Sequence, residues 1–349
     1  MFTLRERKIF MNENEIINKA FLNLNQQTKI EANWRPAGNG IDGEVDIYIR
    51  GNNVHMFIEA KRELRNYQVP DLEEMAKKYQ HFMVIAERIF PAVKETLREK
   101  GINYLDTAGN IYINTEGNYI WLDGKKPAQP KKPVTNRAFT KTGLKTVFYL
   151  LLNTDAVNMP YRKLAEQTQT ALGNITNVIE GLRETGFILQ VNDKIMQLQN
   201  KKILLERWIA GYGETLRPAL EIGKFRFWDN ERLANWENLP LQEGKTVWGG
   251  EPAAAHLTHY LRSEILTLYT NEEKNFIIPK WRLIPDEKGN VIVYEKFWKD
   301  NVFNNPINFN FYAPPLLVYA DLMITYDPRN RETATMIYDQ YLKPAFDYD

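Results

Sequence analysis

The chain contains no cysteine, which excludes disulfides, zinc–thiolate sites and thiol nucleophiles. Histidine is scarce, with only His55, His81, His256 and His259. The last two are spaced to share a helix face. Two imidazoles without a third ligand more often pack or hydrogen-bond than bind metal. No apolar run reaches the ~20 residues that span a bilayer. The opening Met-Phe-Thr-Leu-Arg-Glu-Arg-Lys lacks the apolar core of a signal peptide. A cytoplasmic protein without membrane contact is expected. Net charge is nearly absent as well, at +1, but the balance is uneven along the chain. Residues 125–207 carry fourteen Lys and Arg against six Asp and Glu, while the stretches on either side are net acidic. A basic stretch of that kind is where a nucleic-acid footprint is expected.

What is present suffices for several cores: 349 residues, 44% of them hydrophobic. Residues Asn12 to Gln27 place Ile16, Ile17, Ala20, Phe21 and Leu24 on one helical stripe. Two alternating runs follow, Gly43–Ile49 and Met56–Lys61, and both read as strands. Val45, Ile47 and Ile49 take one face, leaving Glu44, Asp46 and Tyr48 on the other. His55, Phe57, Glu59 and Lys61 share a face of the second run. A two-residue turn at Asn52-Asn53 pairs Asp46 with Glu59 and Glu44 with Lys61. Adjacent carboxylates repel unless a cation lies between them. Asp46 and Glu59 are thus candidate ligands for Mg2+ or Mn2+, and Lys61 for orienting water or stabilising developing charge. Glu13, on the helical stripe, is the candidate for a further carboxylate, although an acid there also suits the helix dipole. The plainer alternative is a surface salt bridge of Lys61.

Asp46 followed by Glu59-Ala60-Lys61 resembles the motif of the PD-(D/E)XK nuclease superfamily. The resemblance implies magnesium on the Asp and Glu, with the Lys assisting phosphodiester hydrolysis. A helix near Asp71–Gln80, an apolar strand over 81–86, a helix over Pro91–Lys100 and three short strands to Trp121 complete an α/β domain. The stretch from Gly124 to Pro133 has three prolines and four lysines and reads as an extended spacer.

Next come helices over Lys141–Leu152, Tyr161–Thr168 and Ala171–Glu184, the last with Leu172, Ile175, Ile179 and Leu182 inward. Strands Phe187–Val191 and Ile195–Leu198 flank a turn at Asn192-Asp193-Lys194. This order resembles a winged helix-turn-helix. Gly173, Asn174, Thr176 and Asn177 lie off the apolar stripe of the third helix, where Asn and Thr can reach base edges of double-stranded DNA. Arg162, Lys163 and Lys194 are candidate phosphate contacts. The last segment has no nuclease or kinase signature, and Gly249-Gly250-Glu251-Pro252 reads as a sharp turn into a helix.

Several stretches together resemble the AbiEi-like antitoxin family of type IV toxin–antitoxin systems. They are Tyr104–Tyr112, the winged helix, Gly249–Ala253, Tyr319–Leu322 and Asp327–Asn330. The resemblance implies a bacterial DNA-binding autoregulator and a nucleotidyltransferase-like toxin as partner. The expected architecture is an α/β (α+β) multidomain chain. A restriction-endonuclease-like domain spans 1–124, a basic Pro-rich linker 125–137, a winged helix-turn-helix 138–207 and a mixed α+β C-terminal domain 208–349. The expected function is a DNA-binding regulator or antitoxin, with a magnesium-dependent DNA endonuclease as the alternative.

Overall fold

Asn12 starts the first element. Its side chain accepts from Glu15 N–H while Glu15 returns the bond to Asn12 N–H, a capping box that opens α1 (Glu13–Thr28). The computed structural model describes residues 12–347 apart from 39, 50, 126–135, 193–194, 300–309 and 326. The linker expected at 125–137 lies largely, and the candidate contact Lys194 wholly, outside the described residues. The chain is a multidomain α/β protein whose contacts divide it into two units, residues 1–133 and 134–349.

In the first unit α1 is followed by β1 (Glu31–Pro36), β2 (Gly43–Ile49), β3 (Asn52–Leu64), α2 (Val69–Lys78), β4 (Phe82–Ile89), α3 (Pro91–Glu99), β5 (Asn103–Asp106), β6 (Ile111–Thr115) and β7 (Asn118–Leu122). The strands form one sheet in chain order. β1 to β3 are antiparallel, β3, β4 and β5 run parallel, and β6 and β7 turn back. The central strand β4 is buried over Phe82–Ala86, as a strand covered on both faces must be. The expected stripe of α1 packs on Val45, Ile47, Met56, Ile58 and Ile85. The other face carries Val84, Tyr104 and Tyr112 under Val69, Leu72, Val93 and Leu97 of α2 and α3.

One expectation fails here. Ile49 pairs with Asn52, so the turn centres on Gly51 and not on Asn52-Asn53. Gly51 sits at φ +87°, a conformation that costs a residue with no Cβ little. The register shifts by four residues. Every side chain keeps its face, but Asp46 now pairs with His55 instead of Glu59.

The second unit opens with α4 (Lys141–Leu152), α5 (Tyr161–Thr168), α6 (Leu172–Glu184), β8 (Ile188–Gln190), β9 (Met196–Leu198) and α7 (Lys201–Gly211). β8 and β9 form an antiparallel pair, and α4, α5 and α6 pack on one another. Leu172, expected inward, is 45% exposed, because the helix turns only Ile175, Val178, Ile179, Gly181 and Leu182 inward. A π-helical turn, Tyr212–Leu216, carries α7 into α8 (Arg217–Leu220). β10 (Glu221–Phe227), α9 (Asn230–Ala234), β11 (Thr246–Gly249), α10 (Gly250–Thr258), β12 (Leu266–Thr270), α11 (Lys274–Trp281), β13 (Leu283–Pro285), β14 (Val291–Glu295), α12 (Pro315–Met323) and α13 (Pro328–Ile337) follow. The five strands take the order β11-β12-β14-β10-β13.

The boundary expected between residues 207 and 208 falls inside α7. Trp208 is fully buried, stacks on Phe148 of α4 at 5.2 Å, and donates its indole N–H to Leu144 O at 2.8 Å. α7 thus shares the core of the helical module, and Tyr212 Oη, in the turn that follows it, lies 2.6 Å from Tyr269 Oη of β12.

Candidate functional site

In the first unit the register brings Asp42, just ahead of β2, to the middle of β3. Asp42 N–H donates to Ile58 O at 3.2 Å, and Ala60 N–H donates to Asp42 Oδ2 at 2.7 Å. Glu59 lies between Ile58 and Ala60, and Lys61 Nζ donates to Glu59 Oε1 at 2.6 Å. Desolvation pushes the Glu59 carboxyl above its ordinary range; Lys61 opposes this, and Asp42 and Glu13 add to it. The same groups act on Glu13, where desolvation and then Asp42 raise the carboxyl and Lys61 lowers it. Glu13, Asp42, Glu59 and Lys61 are therefore one electrostatic cluster. Asp42 occupies the place expected of Asp46.

Asp46 belongs elsewhere. Its Oδ1 lies 3.0 Å from His55 Nδ1, and this bond holds the carboxyl below the usual range. Its neighbour Glu44 pairs with Arg35 at 2.7 Å.

The cluster supplies oxygen donors of the kind a hard divalent cation takes. Yet among the described residues no three His, Asp or Glu side chains are gathered so that they could hold a metal ion. One Asp42 oxygen is committed to Ala60 N–H and one Glu59 oxygen to Lys61. The residues as arranged do not make a preformed metal site.

In the second unit the candidate DNA contacts fall on one module. Arg162 and Lys163 are exposed in the first turn of α5. Gly173 and Asn177 are exposed on α6, and Asn174 and Thr176 are half-buried. The space beside Gly173 is open: a Cβ there would meet no atom within 4 Å. Neither α5 nor α6 has an acidic residue in its first turn, which suits an approach by phosphate.

The short motifs of the C-terminal stretch converge on a buried carboxylate. Asp321 on α12 is 1% exposed. It accepts from Tyr212 Oη at 2.7 Å, from Tyr269 Oη at 2.8 Å and from Gly250 N–H at 3.1 Å. Arg217 Nε lies 3.3 Å away, with its guanidinium over the Tyr294 ring. Burial and the Asp321 charge raise both tyrosine hydroxyls far above their usual range. A Cβ on Gly249 would fall 2.3 Å from the Tyr269 ring, and Gly250 stands at φ +46°, so both positions exclude a side chain. Glu251 accepts from Glu264 N–H, Ile265 N–H and Asn330 Nδ2. Arg329 pairs with Asp327 and Glu264. These motif residues hold the fold together. No sequence pattern marked Tyr212, Arg217 or Tyr269 as their partners.

The motif Tyr104–Tyr112 is also structural. Asp106 accepts from Ala108 N–H, Asn110 N–H and Asn110 Nδ2 and pairs with buried Lys94 at 2.8 Å. His256 stacks on Tyr312 with ring centroids 3.9 Å apart, whereas His259 ends α10 in the left-handed conformation. The two imidazoles meet edge to face with ring centroids 6.1 Å apart.

Residues 197–343 match the model of the AbiEi_2 family, described as a transcriptional regulator, AbiEi antitoxin, of type IV toxin–antitoxin systems. The match runs from β9 through α7 to six residues past the end of α13 and includes both the Gly249–Gly250 turn and Asp321. No curated protein and no solved structure matches the chain. No helix among the described residues is long and apolar enough to cross a membrane.

Proposed function

We propose that the chain is a DNA-binding regulator of the antitoxin type, with duplex DNA engaged by the module of α4 to β9. One observation carries this reading. A helix without a side-chain N-cap, α6, exposes Gly173 and Asn177, with Thr176 half-buried, and packs on α5, which exposes Arg162 and Lys163, ahead of the stretch that matches a transcriptional-regulator family. In such a module the third helix enters the major groove and flanking cations meet phosphates. The family's description as an antitoxin supports a toxin as partner, and the resemblance noted from sequence points to a nucleotidyltransferase-like one. The test is anisotropy titration of the full chain against duplex from upstream of its own gene and against unrelated duplex. Tight, salt-sensitive binding with preference for the upstream duplex is expected; no binding to either removes the reading.

A second reading, phosphodiester hydrolysis by the first unit, is favoured by the cluster of Glu13, Asp42, Glu59 and Lys61. The described residues form no metal site by themselves, so Mg2+ or Mn2+ would bind there only together with substrate oxygens. This chain's own part would be Lys61, placing a positive charge beside Glu59. The test is incubation of supercoiled, linear and single-stranded DNA with each metal. Cleavage that survives Asp46→Ala but not Asp42→Ala or Lys61→Ala would establish it. No cleavage by the wild type, with DNA binding intact, leaves the first unit without a nuclease role.

A further inference from the structure

A pocket of about 170 Å³ opens between the start of α4 and the first turn of α6, lined by Arg137, Lys141, Thr142 and Asn174 among others. No carboxylate is among the described residues that line it. Arg137 and Lys141 are exposed, and neither forms an ion pair with a described residue. The Asn174 amide lines the pocket and makes no side-chain hydrogen bond among the described residues. Neighbours fix the walls. Asn136 Oδ1 accepts from Ala138 N–H, and its Nδ2 donates to Gly181 O on α6 at 2.9 Å, which ties the turn bearing Arg137 to that helix. Glycine permits both close approaches. A Cβ on Gly143 would fall 2.0 Å from Arg137 O, and one on Gly181 would fall 2.2 Å from Asn136 Oδ1.

We propose that this pocket is a subsite for a backbone phosphate of duplex DNA, held by Arg137 and Lys141 with the Asn174 amide as a third donor. It rests on the DNA-binding reading above. Two unpaired cations and an amide around a small concavity match a single oxyanion, and a guanidinium is suited to bidentate phosphate contact. Phosphate contacts carry no sequence information but fix the register of the reading helix. Asn174 is thereby a positioning residue, and base reading falls to the outward residues of α6.

The test is anisotropy titration of the full chain over a range of salt, with the upstream duplex and two unrelated ones. Arg137→Gln/Lys141→Gln is expected to weaken all three by a similar factor and to lower the slope of log K against log salt by about 1. Asn174→Ala is expected to weaken all three alike and to leave the slope unchanged. Arg137→Lys, which keeps the charge, is expected to retain the slope, and thermal melts control for folding. An unchanged slope in the double variant, or loss of sequence preference in Asn174→Ala, overturns the subsite alone. Wild type that binds no duplex overturns the subsite and the DNA-binding reading together.

Discussion

Asp321→Asn isolates the charge at the centre of the second unit. The substitution keeps the size and one carbonyl acceptor for Tyr212 or Tyr269. It removes the negative charge that faces Arg217 at 3.3 Å. Removing one partner of a buried pair strands the other charge and costs about 3–5 kcal/mol. Although its Nε is buried, the Arg217 side chain is one-fifth exposed. The lower end, about 3 kcal/mol, is therefore expected. For a unit of this size each kcal/mol moves the melting point by about 2–4 °C, giving a fall of roughly 6–12 °C. Six of the eight tryptophans follow residue 134, so tryptophan fluorescence reports mainly on this unit. Arg217→Met added to Asp321→Asn removes the stranded charge and should restore part of the loss. A single variant within about 1 kcal/mol of wild type, or a double variant as unstable as the sum of the two singles, would refute the reasoning.

Gly249→Ala should lower the melting point of the same unit by an amount equivalent to about 1–3 kcal/mol, because the new methyl meets the buried Tyr269 ring; an unchanged melt would mean that the ring can move aside. Glu59 has a folded-state carboxyl raised by desolvation. Its neutral form favours the fold, so its stabilising effect is present in acid and is lost as pH rises through the raised value. Glu59→Gln should flatten that part of the stability profile and be at least as stable as wild type at neutral pH, as read by denaturant unfolding of the full chain. Asn177→Ala should reduce discrimination between upstream and unrelated duplex by about 1–3 kcal/mol in anisotropy titrations; equal discrimination would remove α6 as the reading helix.

The elements were largely legible because each has one apolar stripe or one alternation. α1, α4 and α5 fall within a residue of their expected ends, and the stripe of α1 is the one that is buried. What the sequence hid depends on partners distant along the chain. The β2–β3 register turned on whether Gly51 or the Asn52-Asn53 pair made the turn, and alternation is blind to a shift by an even number of residues. Asp42, Asp46 and Glu44 all satisfied the pattern, and only the ladder separates them. Weighting Gly51 as the residue that reaches positive φ without strain would have placed Asp42 beside Glu59. Tyr212, Arg217 and Asp321 meet across more than a hundred residues, a proximity to which no local spacing points.

The continuity of α7 bears on how the two halves of the second unit depend on each other. Trp208 and Tyr212 lie one helical turn apart with their rings stacked at 5.0 Å. The first ring packs on Phe148 of α4, and the second bonds to Asp321. A displacement of α12 that breaks the Tyr212–Asp321 bond must therefore reposition Tyr212 or leave a buried hydroxyl with one partner fewer, and the ring it stacks on is the one against α4. Packed aromatic cores resist continuous deformation, so such a change would pass to α4 as a repacking of Trp208 and Phe148. α4 packs directly on α5 and α6. For the same reason, cutting the chain at residue 207 would remove Trp208 from the core of the helical module and expose Phe148, so the two halves are expected to fold and unfold as one.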